Sequence, residues 1–298
     1  MKKTVSLVLG CGGARGFAHI GAIEELLKRG YKINAISGSS MGAAIGGIYA
    51  AGKLPEFTDW AKKLTKMETF RLVDFTFSAQ GFIRGEKIFT VLKDIIGEKK
   101  IEDFSIPFTA VATDINKEEE VWLDKGELFS VIRASCAIPT LLTPSKLGNR
   151  LLIDGGVLNP LPIEPVLRTK SDLLVVVNIN ASLPSTKIKK IKVEAVPTES
   201  DAYMDKMVMT MKSWLNIKPT VENNDETLGY FGLLNKSYDM MQDRMCQMSI
   251  IHHKPDYVVN ISRDSSSVYE FYRANDMIEE GRIACIKALE KKEEYMEY

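Results

Sequence analysis

A serine between glycines is the first feature with chemical content. Gly38-Ser39-Ser40-Met41-Gly42 fits the pattern G-x-S-x-G, in which a serine hydroxyl is held exposed on a sharp strand-to-helix turn. With 21 glycines in 298 residues, the pattern arises by chance in roughly one chain in ten, so its surroundings decide. The apolar run Ile33–Ile36 precedes it as a predicted strand. The stretch from Met41 to about Ala51 follows as a predicted helix rich in glycine and alanine. Each interior glycine there costs about 1 kcal/mol of helix propensity. Gly42, Gly46 and Gly47 therefore point to a helix packed closely against its neighbours.

A serine hydroxyl is a poor nucleophile until a base takes its proton. The chain offers His19, His252 and His253. His19 falls early in the first predicted helix. His252 and His253 precede Lys254-Pro255, where a solvated loop is the simplest reading. The order Ser40, Asp154, then His252 or His253 would suit an ordinary α/β-hydrolase triad, but Ser40 follows only two predicted strands, fewer than that fold places before its nucleophile. The other candidate base is Asp154, in Ile153-Asp154-Gly155-Gly156 at the end of the predicted strand Leu151–Asp154. Its plain alternative is an Asp-Gly turn.

The third cluster is Gly10-Cys11-Gly12-Gly13-Ala14-Arg15-Gly16, between a predicted strand and a predicted helix. A dinucleotide fingerprint counted from Gly10 needs glycine where Arg15 stands, and no G-K-[ST] closes the loop as a P-loop would. No acidic residue ends the second strand to hold a ribose. What remains is a row of backbone N–H groups at a helix start, where the dipole favours negative charge. Such amides stabilise an oxyanion formed during acyl transfer.

These residues need a sheet to hold them. Thr4–Leu9 reads as a buried strand and about Arg15–Arg29 as a helix, with Phe17, Ile20, Ile23, Leu26 and Leu27 on one face. With Ile33–Ile36 they form one right-handed strand–helix–strand unit. Further strands are expected at Phe108–Asp114, Glu120–Leu123, Leu151–Asp154, Leu173–Ile179 and Tyr257–Ile261. Further helices are expected at Leu54–Thr65, Gly85–Ile96, Leu128–Ala134 and Val268–Lys291. The fold class is α/β: three layers around a central, mostly parallel sheet, with a helical C-terminal portion, in a single domain over 1–298.

Composition narrows the function classes. The 39 Lys+Arg balance 39 Asp+Glu, which gives no global attraction to nucleic acid. No run reaches the roughly 18 apolar residues of a spanning helix. Lys2-Lys3 before Thr4–Leu9 imitates a lipoprotein leader, but the apolar run falls below the roughly 7–15 residues such a segment needs. Cys11, Cys136, Cys246 and Cys285 show neither disulfide nor zinc spacing, so a reducing, cytoplasmic setting is expected.

In this order the motifs resemble the patatin-like phospholipase family: an oxyanion loop at Cys11–Gly16, the serine motif at Gly38–Gly42 and D-G-[AG] at Asp154–Gly156. Ala112-Thr113-Asp114, Arg133-Ala134-Ser135-Cys136-Ala137-Ile138-Pro139 and Gly16-Phe17-Ala18-His19-Ile20-Gly21 match as well. The resemblance spans about Lys3 to Ile179. It departs at Cys11, where the family pattern has glycine. It implies hydrolysis of lipid or lysolipid acyl esters by a Ser–Asp dyad, without metal or organic cofactor. Ser40 would attack, and Asp154 would take its proton across about 2.6–3.2 Å. The amides of Gly12, Gly13, Ala14 and Arg15 would hold the oxyanion, with the Arg15 side chain steadying the loop or nearby anionic groups. A non-catalytic lipid-binding member is the rival, and an intact Ser40, Asp154 and glycine loop argue against it.

The segment from about Ser182 to Met248 reads as an excursion from the sheet with helices of its own. It carries eight of the 13 methionines. Met204, Met207 and Met211, like Met240, Met241, Met245 and Met248, recur at helical spacing. They are expected to fill a core; the alternative is an adaptable surface or lid for acyl chains. Lys187, Lys189, Lys190 and Lys192 read most simply as a solvated loop, and otherwise as contacts to anionic headgroups at a membrane surface.

Overall fold

The computed structural model describes residues 3–72, 75–78, 81–83, 86–166, 172–183 and 230–296. The run Thr4–Leu9 forms β1, with Val5 through Leu9 buried, as a strand covered by helices on both sides requires. A 3₁₀ turn at Gly13–Phe17 leads into α1 (Ala18–Lys28). The helix thus starts later than the expected Arg15, because the chain from Gly13 to Phe17 is wound as a 3₁₀ turn. β2 (Lys32–Ser39) and α2 (Met41–Ala50) follow.

The expected helix Leu54–Thr65 is instead two, α3 (Leu54–Ala61) and α4 (Lys66–Arg71). Thr65 restarts the chain: its hydroxyl accepts the Glu68 N–H, while the Glu68 carboxylate accepts the Thr65 N–H. Then come β3 (Phe75–Ser78), β4 (Gly81–Ile83), α5 (Glu86–Ile96), β5 (Phe108–Asp114), β6 (Glu119–Leu123) and α6 (Leu128–Ser135). They are followed by β7 (Thr140–Leu142), β8 (Ser145–Leu147), β9 (Arg150–Asp154) and β10 (Leu173–Ala181). The described chain ends with α7 (Tyr230–His253), β11 (Tyr257–Ser262) and α8 (Ala274–Met296). Val268 therefore precedes the last helix rather than opening it. His252 and His253 are the last residues of α7, not a loop. Lys187–Lys192 and Met204, Met207 and Met211 lie outside the described residues.

The main sheet runs β11-β10-β1-β2-β5-β9-β8, with β6 also paired to β5. Its strands from β11 to β5 are parallel neighbours, while β6 and β9 lie antiparallel to β5. Asp154 is thus delivered by one of the antiparallel strands of this mostly parallel sheet. The register shows why this suits the site. Val111 of β5 pairs with Ser39 on one edge and Trp122 on the other; the next residue, Ala112, pairs with Asp154 on one edge and Val121 on the other. Since β6 occupies one edge throughout, β2 and β9 share the opposite edge and meet end to end.

The alternation of strand side chains divides the core between two faces. Val5, Leu7, Leu9, Val175, Val177 and Ile179 pack beneath α1, α2 and α8. Val8, Ala35, Leu174 and Val176 pack on the other face, under Leu161, Ile163, Val166 and Cys246 of α7. This is a three-layer α/β/α fold. α1 and α8 touch backbone to backbone where Gly21 faces the Ile278 carbonyl and Gly281 faces the Ala18 carbonyl. No described helix is long and apolar enough to cross a membrane.

Candidate active site

Ser40 stands at the head of β2, before the first turn of α2, with φ 55° and ψ −124°. A non-glycine residue held there stores about 1–3 kcal/mol of backbone strain, so its neighbours must enforce it. Ser135 at the end of α6 does so: its hydroxyl accepts the Ser40 N–H at 2.9 Å and donates to the Val111 carbonyl at 2.6 Å. A side chain at Gly42 would strike the Leu9 carbonyl, and one at Gly38 would strike the backbone of Gly42. The turn can close only with glycine at both positions. A side chain at Gly16 would run into Met41, and one at Gly155 into the Val111 carbonyl.

The Ser40 hydroxyl donates to Asp154 Oδ2 at 2.5 Å. The other carboxylate oxygen accepts the Gly156 N–H at 2.7 Å. The Asp154 backbone is fixed by its N–H to the Ala137 carbonyl and by the Thr113 hydroxyl on its own carbonyl. Both side chains are buried. Burial pushes the Asp154 carboxyl up from 3.8 to about 6, against the hydrogen bonds from Ser40 and Gly156. Near neutral pH it is therefore ionised and unusually basic, as a proton acceptor should be. Cys11 and Cys136 lie close by, and burial, reinforced by the Asp154 charge, raises both thiols. They remain neutral and do not compete as nucleophiles.

The glycine loop divides its amides between structure and the site. The Cys11 N–H donates to the Pro160 carbonyl and the Ala14 N–H to the Val268 carbonyl. Ala14 therefore has no free donor for an oxyanion, which corrects the expectation for that residue. Among the described residues the Gly12 and Gly13 amides have no such partner, and both residues line the cavity that holds Ser40. Arg15 is almost fully buried. Its guanidinium donates to the carbonyls of Arg263 and Ser266 at 3.1 and 3.2 Å and to Asn180 Oδ1 at 2.5 Å. It steadies the loop by tying it to the end of β10 and to the segment after β11.

Sequence reasoning missed the rest of this network. Asn180 Nδ2 donates to Gln242 Oε1, and Gln242 Nε2 donates to the Gly156 carbonyl. A chain of polar contacts thus runs from Arg15 through α7 to the turn after Asp154. Neither asparagine nor glutamine sits in a recognisable motif. Only the register of β10 and the burial of one face of α7 reveal them.

His19 lies in α1 with Nε2 on the Gly10 carbonyl at 2.8 Å. Burial lowers its pKa to about 4, which keeps the ring neutral. His252 and His253 are absent from the linings of both cavities that reach Ser40. Among the described residues no group of His, Cys, Asp and Glu is arranged to hold a metal ion.

Two cavities meet at Ser40 and share Gly13, Ile138, Leu141 and Val268. One, of about 200 Å³, is lined by Phe17 of the 3₁₀ turn and by Ala44, Ile48, Phe57, Trp60, Leu64, Phe89 and other apolar side chains, most of them between α2 and α6. The other, of about 500 Å³, carries Arg15, Tyr238, Asp239, Arg263, Asp264 and Tyr269. A serine between an apolar chamber and one with charged side chains in its wall suits an ester with one greasy and one hydrophilic end.

The patatin-like phospholipase family pattern matches residues 7–167. Uncharacterised NTE family proteins of Mycobacterium bovis and Mycobacterium tuberculosis are 34% identical over 333 aligned positions, covering 96% of this chain and 91% of theirs. Lysophospholipase NTE1 of Debaryomyces hansenii is 32% identical over 60% of this chain, which spans only 12% of that protein. Among solved structures, VipD from Legionella pneumophila aligns with 97% of this chain and 67% of its own, at 16% identity and a TM-score of 0.48.

Proposed function

This chain belongs to the patatin-like phospholipase family of lipid acyl hydrolases, and on that premise we propose that it cleaves lipid or lysolipid acyl esters through a covalent Ser40 intermediate with Asp154 as the base. The observation that carries this reading is the 2.5 Å hydrogen bond from the Ser40 hydroxyl to a buried carboxylate. As Ser40 Oγ attacks the ester carbonyl carbon, its proton passes to Asp154 Oδ2. The Gly12 and Gly13 amides receive the oxyanion, assisted by the N-terminal end of α2. Collapse of the tetrahedral adduct breaks the ester bond, and Asp154 returns the proton to the departing alcohol. Asp154 then deprotonates a water that attacks the acyl-enzyme, releasing the carboxylic acid and restoring Ser40. The acyl chain lies in the apolar chamber and the glycerol or headgroup end in the polar one. The relatives named lysophospholipases favour a single-chain substrate. Four free cysteines suit a reducing, cytoplasmic compartment.

The test is covalent labelling joined to kinetics. A fluorophosphonate should attach to the Ser40 peptide of the wild type and not to Ser40→Ala. Ser40→Ala and Asp154→Asn should each lose on the order of 10³–10⁴-fold in kcat, and the double variant should be little worse, because the pair acts as a unit. A folded wild type that takes no label would favour the lipid-binding alternative. A comparable loss in His252→Ala/His253→Ala would restore an imidazole base.

A further inference from the structure

The second cluster of methionines does not fill a core. Met240, Met241, Met248 and Ile251 of α7 are 57–68% exposed, and Leu233 and Leu234 are exposed beside them. At 100° per residue these positions fall on one side of the helix. Isolated exposed apolar residues need no explanation, but a contiguous stripe on a folded protein marks a surface that meets something.

The charges on α7 are sorted by side. Its cations, Lys236 and Arg244, are exposed among the apolar residues. Of its acids, Asp239 lines the cavity of Ser40, and Asp243, at the edge of that side near Lys236, is paired with Arg263 at 2.9 Å. Among the described residues of α7, the outward face is therefore apolar and positive, with no unpaired carboxylate. The inward face holds Gln242 against the Gly156 carbonyl and packs Cys246 into the core. An α-helix is about 10–12 Å across, so whatever rests on the outer side lies one helix width from the wall of the cavity that holds Ser40.

We propose that this outward face of α7 is where the enzyme seats on an anionic lipid surface, which presents substrate to the polar chamber beside it. The occupant is chosen by complementarity: apolar side chains enter the acyl boundary while Lys236 and Arg244 meet negative headgroups. The inference rests on the hydrolase reading above, and its test is separable from it.

Binding to phosphatidylcholine vesicles with and without phosphatidylglycerol is measured by cosedimentation. Hydrolysis of a soluble short-chain p-nitrophenyl ester is measured in parallel. The wild type should bind the anionic vesicles preferentially. Met240→Glu/Met248→Glu/Ile251→Glu should bind at least tenfold more weakly and hydrolyse vesicle-borne substrate correspondingly less. Its kcat/KM on the soluble ester should be unchanged, which also reports that it is folded. Lys236→Gln/Arg244→Gln should lose the preference for anionic vesicles. Brief peroxide treatment should oxidise Met240, Met241 and Met248 rapidly without vesicles and slowly with them.

Equal binding by wild type and the triple variant overturns the proposal. So does slow oxidation without vesicles, which would mean the chain covers this face itself. A wild-type dimer that the triple variant dissociates would make the face a contact between copies, and also overturns it. Intact vesicle binding without hydrolysis of either substrate would instead sink the hydrolase reading and leave the docking surface standing.

Discussion

At the scale of single residues, Asp154 carries the sharpest consequence. Its carboxyl is raised from 3.8 in the unfolded chain to about 6 in the fold, so the folded state holds a proton more tightly. Below about pH 4 both states are protonated and the shift is silent. Between about 4 and 6 the unfolded chain ionises first, and above 6 the full penalty is present, on the order of 3 kcal/mol. Asp154→Asn should therefore melt at a higher temperature than wild type at pH 7.5, with the advantage fading toward pH 4; an advantage independent of pH would refute the assignment. The same carboxylate must be ionised to accept a proton. The acid limb of kcat/KM should accordingly rise with a midpoint near pH 6. Ser40 and Asp154 were legible in the sequence because glycines mark both turns. Ser135, Asn180 and Gln242 were not, since a serine, an asparagine or a glutamine becomes a hydrogen-bond post only once the backbone around it is placed.

At the scale of elements, close helix contacts do the positioning. α1 and α8 meet through Gly21 and Gly281, each facing a carbonyl of the other helix. Gly281→Ala should separate them and destabilise the fold by about 1–3 kcal/mol, seen as a lower urea midpoint. α2 forms a wall of the apolar chamber at Ala44. If acyl chains enter there, each methylene buried contributes about 0.8 kcal/mol, or about fourfold in kcat/KM. Ala44→Phe should flatten that rise for longer chains while short esters turn over as before; an unchanged chain-length profile would place the acyl group elsewhere. Most strands were foreseeable from their Val/Ile runs, Phe108–Asp114 among them to the residue. The short strands β3, β4, β7 and β8 were not, because three- or four-residue segments carry too little periodicity to read. The Thr65 capping box was overlooked within an otherwise helical stretch.

At the scale of the whole molecule, the site is completed by residues well beyond the stretch that carries its motifs. The family pattern ends at residue 167, yet Arg15 is anchored on Asn180, Arg263 and Ser266, and Ala14 on Val268. The loop that presents Gly12 and Gly13 is held from β10 and the segment after β11. Arg15→Met removes those contacts and leaves buried carbonyls unsatisfied, at about 1–3 kcal/mol each. It should reduce kcat far more than KM while Ser40 still takes the fluorophosphonate slowly; unaltered kcat would show that the anchoring is dispensable. The fold class could be read from the alternation of strand and helix. The sidedness of α7 could not, because its outward apolar stripe has the same spacing as a buried one, and only the sheet beneath it decides which side faces water.

The shared edge of β5 acts as a ruler for the chemistry. Ser39 and Asp154 sit opposite consecutive residues, Val111 and Ala112, so Ser40, the residue after Ser39, is brought to Asp154 by one strand step rather than by the reach of a flexible loop. An extra residue inserted between Val111 and Ala112 would add about 3.3 Å to that step. The hydroxyl and carboxylate would then be out of touch in a protein whose other layers were undisturbed.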